Sequence, residues 1–139
     1  MKHLTEYITE SLDKSHVFVV LKPGSLDLAQ TVIERFAQDG WFVKYTTTKQ
    51  LLPEEARQLY YVHRKEDFYK DLCEYMASSP CRAFIFCKEG SKHPFKEVKA
   101  IKDEIREKYG ESDMRNVLHS SDSQKNMDKE ALIFFAKTW

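Results

Sequence analysis

The sequence predicts an α+β fold in which helices surround a four-stranded antiparallel sheet. Three observations point there. Four short runs have the apolar, β-branched or aromatic character of strands. The segments between them repeat apolar residues every three or four positions, the period of a helix with one buried face. The length, 139 residues, suits one hydrophobic core and is short for two.

In chain order, Leu4, Tyr7, Ile8 and Leu12 recur at helical spacing, so residues 1–15 read as an amphipathic helical extension to a main domain of residues 16–139. His16 to Leu21 is a β-branched apolar run fit for a central strand, and Lys22-Pro23-Gly24 stops it. Ser25 can cap a helix that carries Ala29, Val32, Ile33, Phe36 and Ala37 on one face, with Gly40 just past its end. Trp41 to Lys49 is strand-like. Pro53-Glu54-Glu55 opens a helix with proline and acids in the first turn, where the dipole favours them. Asp67 to Ala77 is helical, and Cys81 to Lys88 is the third strand. Phe95, Val98, Ile101, Ile105 and Tyr109 mark one face of a charged helix on which Glu104 and Lys108 can pair. Asn116 to His119 is a short apolar step, and Ser121 to Phe135 is helical. This order, β-α-β-α-α-β-α-β-α, suits a ferredoxin-like α/β sandwich, with the helices expected on one face of the sheet.

Composition excludes several classes. Twenty-two basic and 22 acidic residues cancel, which argues against a general nucleic-acid binder, since that needs a clustered basic excess. No apolar run approaches the roughly 20 residues that cross a bilayer, and Glu6, Glu10 and Asp13 interrupt any secretory-signal core. Cys73, Cys81 and Cys87 are odd in number with no CxxC spacing, as expected of free thiols in the cytoplasm. His3, His16, His63 and His93 show no metal-ligand spacing and read as surface residues, so no protein-held metal is expected.

The most informative segment is Arg115-Asn116-Val117-Leu118-His119-Ser120-Ser121-Asp122-Ser123. It sets an imidazole after an apolar step and before a turn rich in helix N-cap residues, where free backbone N–H groups favour anions. Eleven residues on, three helical turns along, lies Glu130. A lone histidine at a strand end is more often structural, and a lysine after a strand is usually solvated.

Together with Lys22-Pro23 after the first strand and Met76-Ala77-Ser78-Ser79-Pro80, this segment resembles nucleoside diphosphate kinase, in the family's order and near its spacing over residues 17–135. The resemblance implies ping-pong phosphoryl transfer: His119 takes the γ-phosphate of a nucleoside triphosphate and passes it to a nucleoside diphosphate. Imidazole titrates near neutrality, which suits a nucleophile, and phosphoryl transfer asks the protein mainly for positioning and charge. The resemblance further implies that Glu130 orients the imidazole with Ser121 nearby, and that Lys22 touches the transferred phosphate. Arg106 contacts phosphate, Asn116 the sugar, and Phe68 stacks on the base. The active-site tyrosine is Tyr61 or Tyr60, and the family spacing favours Tyr61. Mg²⁺ is expected to arrive on the nucleotide phosphates.

The chain also departs from the family pattern. A Gly-containing stretch with an arginine and Thr-Asn-Pro is absent, and the lysine-rich segment Lys96 to Lys108 takes its place. Lys99 or Lys102 could supply a point charge there, without an arginine's bidentate fork. The absent stretch helps assemble the family's hexamer, so a homodimer is expected. Gly24 replaces the usual aspartate after Lys-Pro, and Asp113 replaces an apolar residue beside the base. Two alternatives are a catalytically weak or inactive nucleotide-binding or scaffolding relative, and an RNA-binding domain stacking bases on Phe84 and Phe86.

Overall fold

A computed structural model describes residues 7–8 and 12–137, with side chains for 12–135. The main sheet holds four antiparallel strands, β2 (His16–Leu21), β3 (Phe42–Lys49), β4 (Cys81–Cys87) and β5 (Leu118–Ser120), in the order β3-β4-β2-β5. A parallel two-residue pair, β1 (Tyr7–Ile8) with β6 (Ala136–Lys137), joins the chain ends. Those two N-terminal residues are strand where helix was expected; the rest of the expected helix up to residue 11 lies outside the described residues.

Among the described residues, five α-helices connect and cover the sheet: α1 (Ala29–Gln38), α2 (Pro53–Leu59), α3 (Tyr69–Ala77), α4 (Pro94–Tyr109) and α5 (Gln124–Phe134). They pack on both faces rather than one, and β2 explains why. All six of its residues are buried. Side chains alternate along a strand, so Phe18 and Val20 join one apolar cluster with Leu59, Met76, Met127 and Phe134 from α2, α3 and α5. Val17, Val19 and Leu21 join the other with Val32, Phe36, Val98 and Ile101 from α1 and α4. A continuous apolar strand is what two covered faces require. Phe84 and Phe86 are 0% exposed in that second cluster, which removes the RNA-stacking reading.

Local chemistry accounts for the boundaries. Ser25 makes no capping bond; the chain runs through a 3-10 turn, Leu26–Leu28, before α1 begins. Gly40 ends that helix at φ +87, where a side chain would be strained. Ser123 caps α5 by accepting from Asn126 N at 3.2 Å. Glu104 bonds Arg35 of α1 (Nη2–Oε1 3.3 Å) rather than Lys108, an inter-helix tie that helical spacing alone does not reveal. His16 is buried rather than at the surface, 2% exposed with Nδ1 3.1 Å from Asp13 Oδ1.

Candidate active site

His119 is delivered by β5, opposite Val20 of β2. Leu118 turns to the α1/α4 face, so the next side chain, the imidazole, turns to the face covered by α2, α3 and α5. The backbone just before it is forced. Val117 has φ +77, and Leu118 N bonds Asn116 O at 3.0 Å, a γ-turn with positive φ at a β-branched residue. Such a conformation costs about 1–3 kcal/mol and persists only where its surroundings hold it. They do: Val117 is 2% exposed, and its carbonyl accepts from Lys22 N at 2.9 Å. The strained turn therefore couples the strand end bearing Lys22 to the strand bearing His119.

Glu130 lies on the inward stripe of α5 with Met127, Ala131 and Phe134, so helix periodicity carries its carboxylate under the sheet. Its Oε1 is bonded to His119 Nε2 and accepts from Ser121 Oγ at 3.1 Å. A carboxylate only accepts, so in the neutral ring Nε2 carries the proton and Nδ1 keeps its lone pair. Nδ1 has no hydrogen bond to any described residue. Tyr60 packs edge-on to the ring with centroids 5.1 Å apart.

Lys22 follows β2 and is 3% exposed. Its Nζ donates to Asn116 Oδ1 at 2.6 Å and Met114 O at 3.1 Å, both neutral oxygens. Burial, helped by the nearby cations Arg106 and Lys102, pulls its pKa from 10.5 down to about 7. The turn that holds it, Lys22 to Ser25, closes with Ser25 N to Lys22 O at 3.0 Å. Pro23 and Gly24 occupy its centre with Gly24 at φ +85, the type II pattern, which explains glycine where the family has aspartate. Arg106 on α4 donates from Nη2 to Leu118 O at 2.8 Å, and its Nε is buried with no partner among the described residues.

These residues line one cleft of about 500 Å³. His119, Glu130, Lys22, Asn116 and Arg106 form its inner part, and Phe68, 47% exposed, stands on its wall with His63, ring centroids 5.5 Å apart. Ser121 sits behind, buried against Glu130. Tyr61 does not line the cleft: it is 53% exposed, with the Arg64 guanidinium 4.3 Å from its ring. Tyr60, 4% exposed, lines it instead, and its hydroxyl is buried without a partner among the described residues. A signal for that choice lay in the sequence: Ala56, Leu59 and Tyr60 fall at i, i+3 and i+4, so Tyr60 ends the inward face of α2. Asp113 also borders the cleft. Lys102 lines it and Lys99 does not.

Fold and site together define a phosphotransferase: a ferredoxin-like α+β domain that presents a carboxylate-bound imidazole to a cation-lined cleft. The family model for nucleoside diphosphate kinase matches residues 15–138. A nucleoside diphosphate kinase of Hyperthermus butylicus is 34% identical over 130 residues, covering 86% of this chain and 90% of the relative. That of Chlorobium limicola is 32% identical over 126 residues, covering 84% and 90%. The crystal structure of the Aquifex aeolicus nucleoside diphosphate kinase matches with a TM-score of 0.77 at 26% identity, over 88% of this chain and 95% of that one. The chain belongs to the nucleoside diphosphate kinase family.

Proposed function

We propose that the protein moves the γ-phosphate of a nucleoside triphosphate to a nucleoside diphosphate in two half-reactions through His119. In the first, the Nδ1 lone pair attacks the γ-phosphorus. The bond from that phosphorus to the β–γ bridging oxygen breaks, and the diphosphate leaves with the electron pair. In the second, a terminal oxygen of the acceptor diphosphate attacks the same phosphorus and the P–N bond breaks. The observation that carries this reading is the His119–Glu130–Ser121 arrangement, in which His119 lines the same cleft as Lys22 and Arg106 and its Nδ1 has no hydrogen bond to any described residue. Glu130 holds the ring orientation and offsets the positive charge that develops on it. Lys22, Arg106 and Tyr60, the last in place of Tyr61, act on the phosphates. Asn116 contacts the sugar, and Phe68 stacks on the base without reading its edge.

Among the described residues no group of three or more His, Cys, Asp or Glu could hold a metal ion. Asp113 and Asp122 border the cleft as single carboxylates, a donor set too small for a protein-built cage. Mg²⁺ carried on the nucleotide fits such a site, and when bound it supplies charge neutralisation along the phosphates.

The test is incubation with γ-labelled Mg·ATP. The expected product is an acid-labile, base-stable label on the protein that is discharged by added nucleoside diphosphate. Protein that binds nucleotide but never takes label would establish the non-catalytic relative instead. Glu130→Ala is expected to slow labelling about 10- to 100-fold, the order for a group that orients a reacting ring. A labelling rate equal to wild type would remove Glu130 from the mechanism.

A homodimer in the cytoplasm belongs to the same proposal. β3 is an edge of the main sheet and carries Phe42 and Val43, 62% and 37% exposed, an apolar edge suited to a second copy. The three cysteines stand unpaired. Light scattering is expected to report twice the chain mass; a monomer would exclude the dimer.

A further inference from the structure

One cation lining the cleft from α4, Lys102, is so far assigned no role, and the role argued for it rests on the function proposed for His119. Val98, Ile101 and Ile105 form the buried stripe of α4. Lys102 and Arg106 sit beside that stripe one helical turn apart, so both reach the cleft that holds His119 and Lys22. Arg106 is committed to the carbonyl of Leu118. Lys102 is half-buried, and no hydrogen bond or ion pair ties its ammonium to any described residue. Lys99, on the same helix, is the contrast: its side chain is 68% exposed and bonded to Asp103 at 2.7 Å. That bond also occupies the carboxylate next to Lys102 in sequence. Asp122, across the cleft mouth, is bonded by Asn126 Nδ2 at 2.7 Å and still attracts Lys102.

Asp113 and Asp122 also border the cleft, yet none of its three cations is bonded to a carboxylate among the described residues. Lys22 donates only to neutral oxygens, Arg106 only to a backbone carbonyl, and Lys102 to nothing among the described residues. Glu130 is occupied by His119 and Ser121. A strongly hydrated ammonium drawn out of water without an acceptor costs free energy unless an anion arrives to offset it. Burial first, then the neighbouring Arg106 charge, lowers the pKa of Lys102, which is the mark of that cost. An anion with several negative charges set in a row satisfies all three cations at once.

We propose that Lys102 is a phosphate-binding residue of this chain, its ammonium engaging non-bridging oxygens of the bound nucleotide's phosphate chain beside Arg106 and Lys22. It acts as a point charge without the forked geometry of an arginine, so it contributes affinity for phosphate and none for the base or sugar.

The test compares Mg·ADP with adenosine on wild type, Lys102→Met, Lys102→Arg and Lys99→Gln. Methionine keeps the apolar stem and removes the charge. Lys102→Met is expected to weaken Mg·ADP about tenfold, as for loss of one charged hydrogen bond. Adenosine affinity should stay within about twofold of wild type. Lys102→Arg should recover most of the loss, and Lys99→Gln should match wild type. The fall of affinity with added salt should also be shallower in Lys102→Met. Unchanged Mg·ADP affinity in that variant overturns the assignment. So does an equal loss of adenosine affinity, which would mark a structural role. Label formation on His119 is read separately on wild-type protein. Its absence fails the kinase reading; its presence alongside unaltered Lys102→Met affinity fails only this inference.

Discussion

His119→Gln is expected to abolish phosphoenzyme formation, a loss of at least about 1,000-fold, while Mg·ADP binds within about tenfold of wild type. The glutamine amide can still reach toward the Glu130 carboxylate, so packing in the cleft is kept. What disappears is the one nitrogen lone pair facing the cleft, because His119 Nε2 is already committed to Glu130. In the proposed site, ground-state binding is assigned to other groups, Phe68 for the base and Lys22 and Arg106 for the phosphates, and the substitution leaves these in place. Rapid-quench measurement of labelled protein, alongside calorimetric titration with Mg·ADP, separates the two effects. Phosphoryl transfer at the wild-type rate in His119→Gln would place the nucleophile elsewhere.

Lys22→Met is expected to lower kcat/KM about 100- to 1,000-fold, the range for removing one group aimed at developing charge in a water-poor site. Its pH signature distinguishes it from other losses. In the nucleotide-free protein Lys22 titrates at about 7, against 10.5 in its unperturbed state. Between those values the unfolded chain holds the proton that the folded chain has released, so this residue's contribution makes the folded state more stable as pH rises from 7 to 10.5. Below pH 7 both states are protonated and the cost of the buried ammonium is fully present. Wild type is therefore expected to gain stability over that window relative to Lys22→Met, read by urea unfolding. A bound phosphate restores the charged form, so at about pH 8 wild type should take up a proton on binding Mg·ADP, and Lys22→Met should lose that uptake. Calorimetry in buffers of different ionisation enthalpy measures it; equal uptake by both proteins would show that Lys22 is already charged in the empty cleft.

Much of the fold was legible because its signals are local. The β-branched run His16 to Leu21, the helical spacing of Val98, Ile101 and Ile105, and Gly40 after α1 each report the conformation of their own few residues. The histidine segment was legible for a related reason: Asn116, His119 and Ser121 lie within one strand and turn, where spacing nearly is geometry. Less could be read wherever two local choices were equally good. Tyr60 and Tyr61 differ by one position; the i, i+3, i+4 spacing of Ala56, Leu59 and Tyr60 favoured the first, against the family spacing, and the packing of α2 on α3 and α5 buries Tyr60 and leaves Tyr61 exposed. Helices on both faces had one local signal, the unbroken apolar run of β2, and the packing of α1 and α4 opposite α2, α3 and α5 decided it.

Periodicity and a motif contiguous in the chain were enough to give the order of the main-sheet strands and their helices, and to point to the family and to His119 as the candidate phosphoryl carrier. The electrostatics of the cleft and of the α1–α4 tie came from contacts distant in the chain. Lys22 meets Asn116 across 94 residues, Arg35 meets Glu104 across 69, and Lys102 joins Lys22 only because α4 lies along the sheet beside β2 and β5. A charge's energy depends on its burial and on the charges around it, and both are properties of the folded volume rather than of neighbours along the chain.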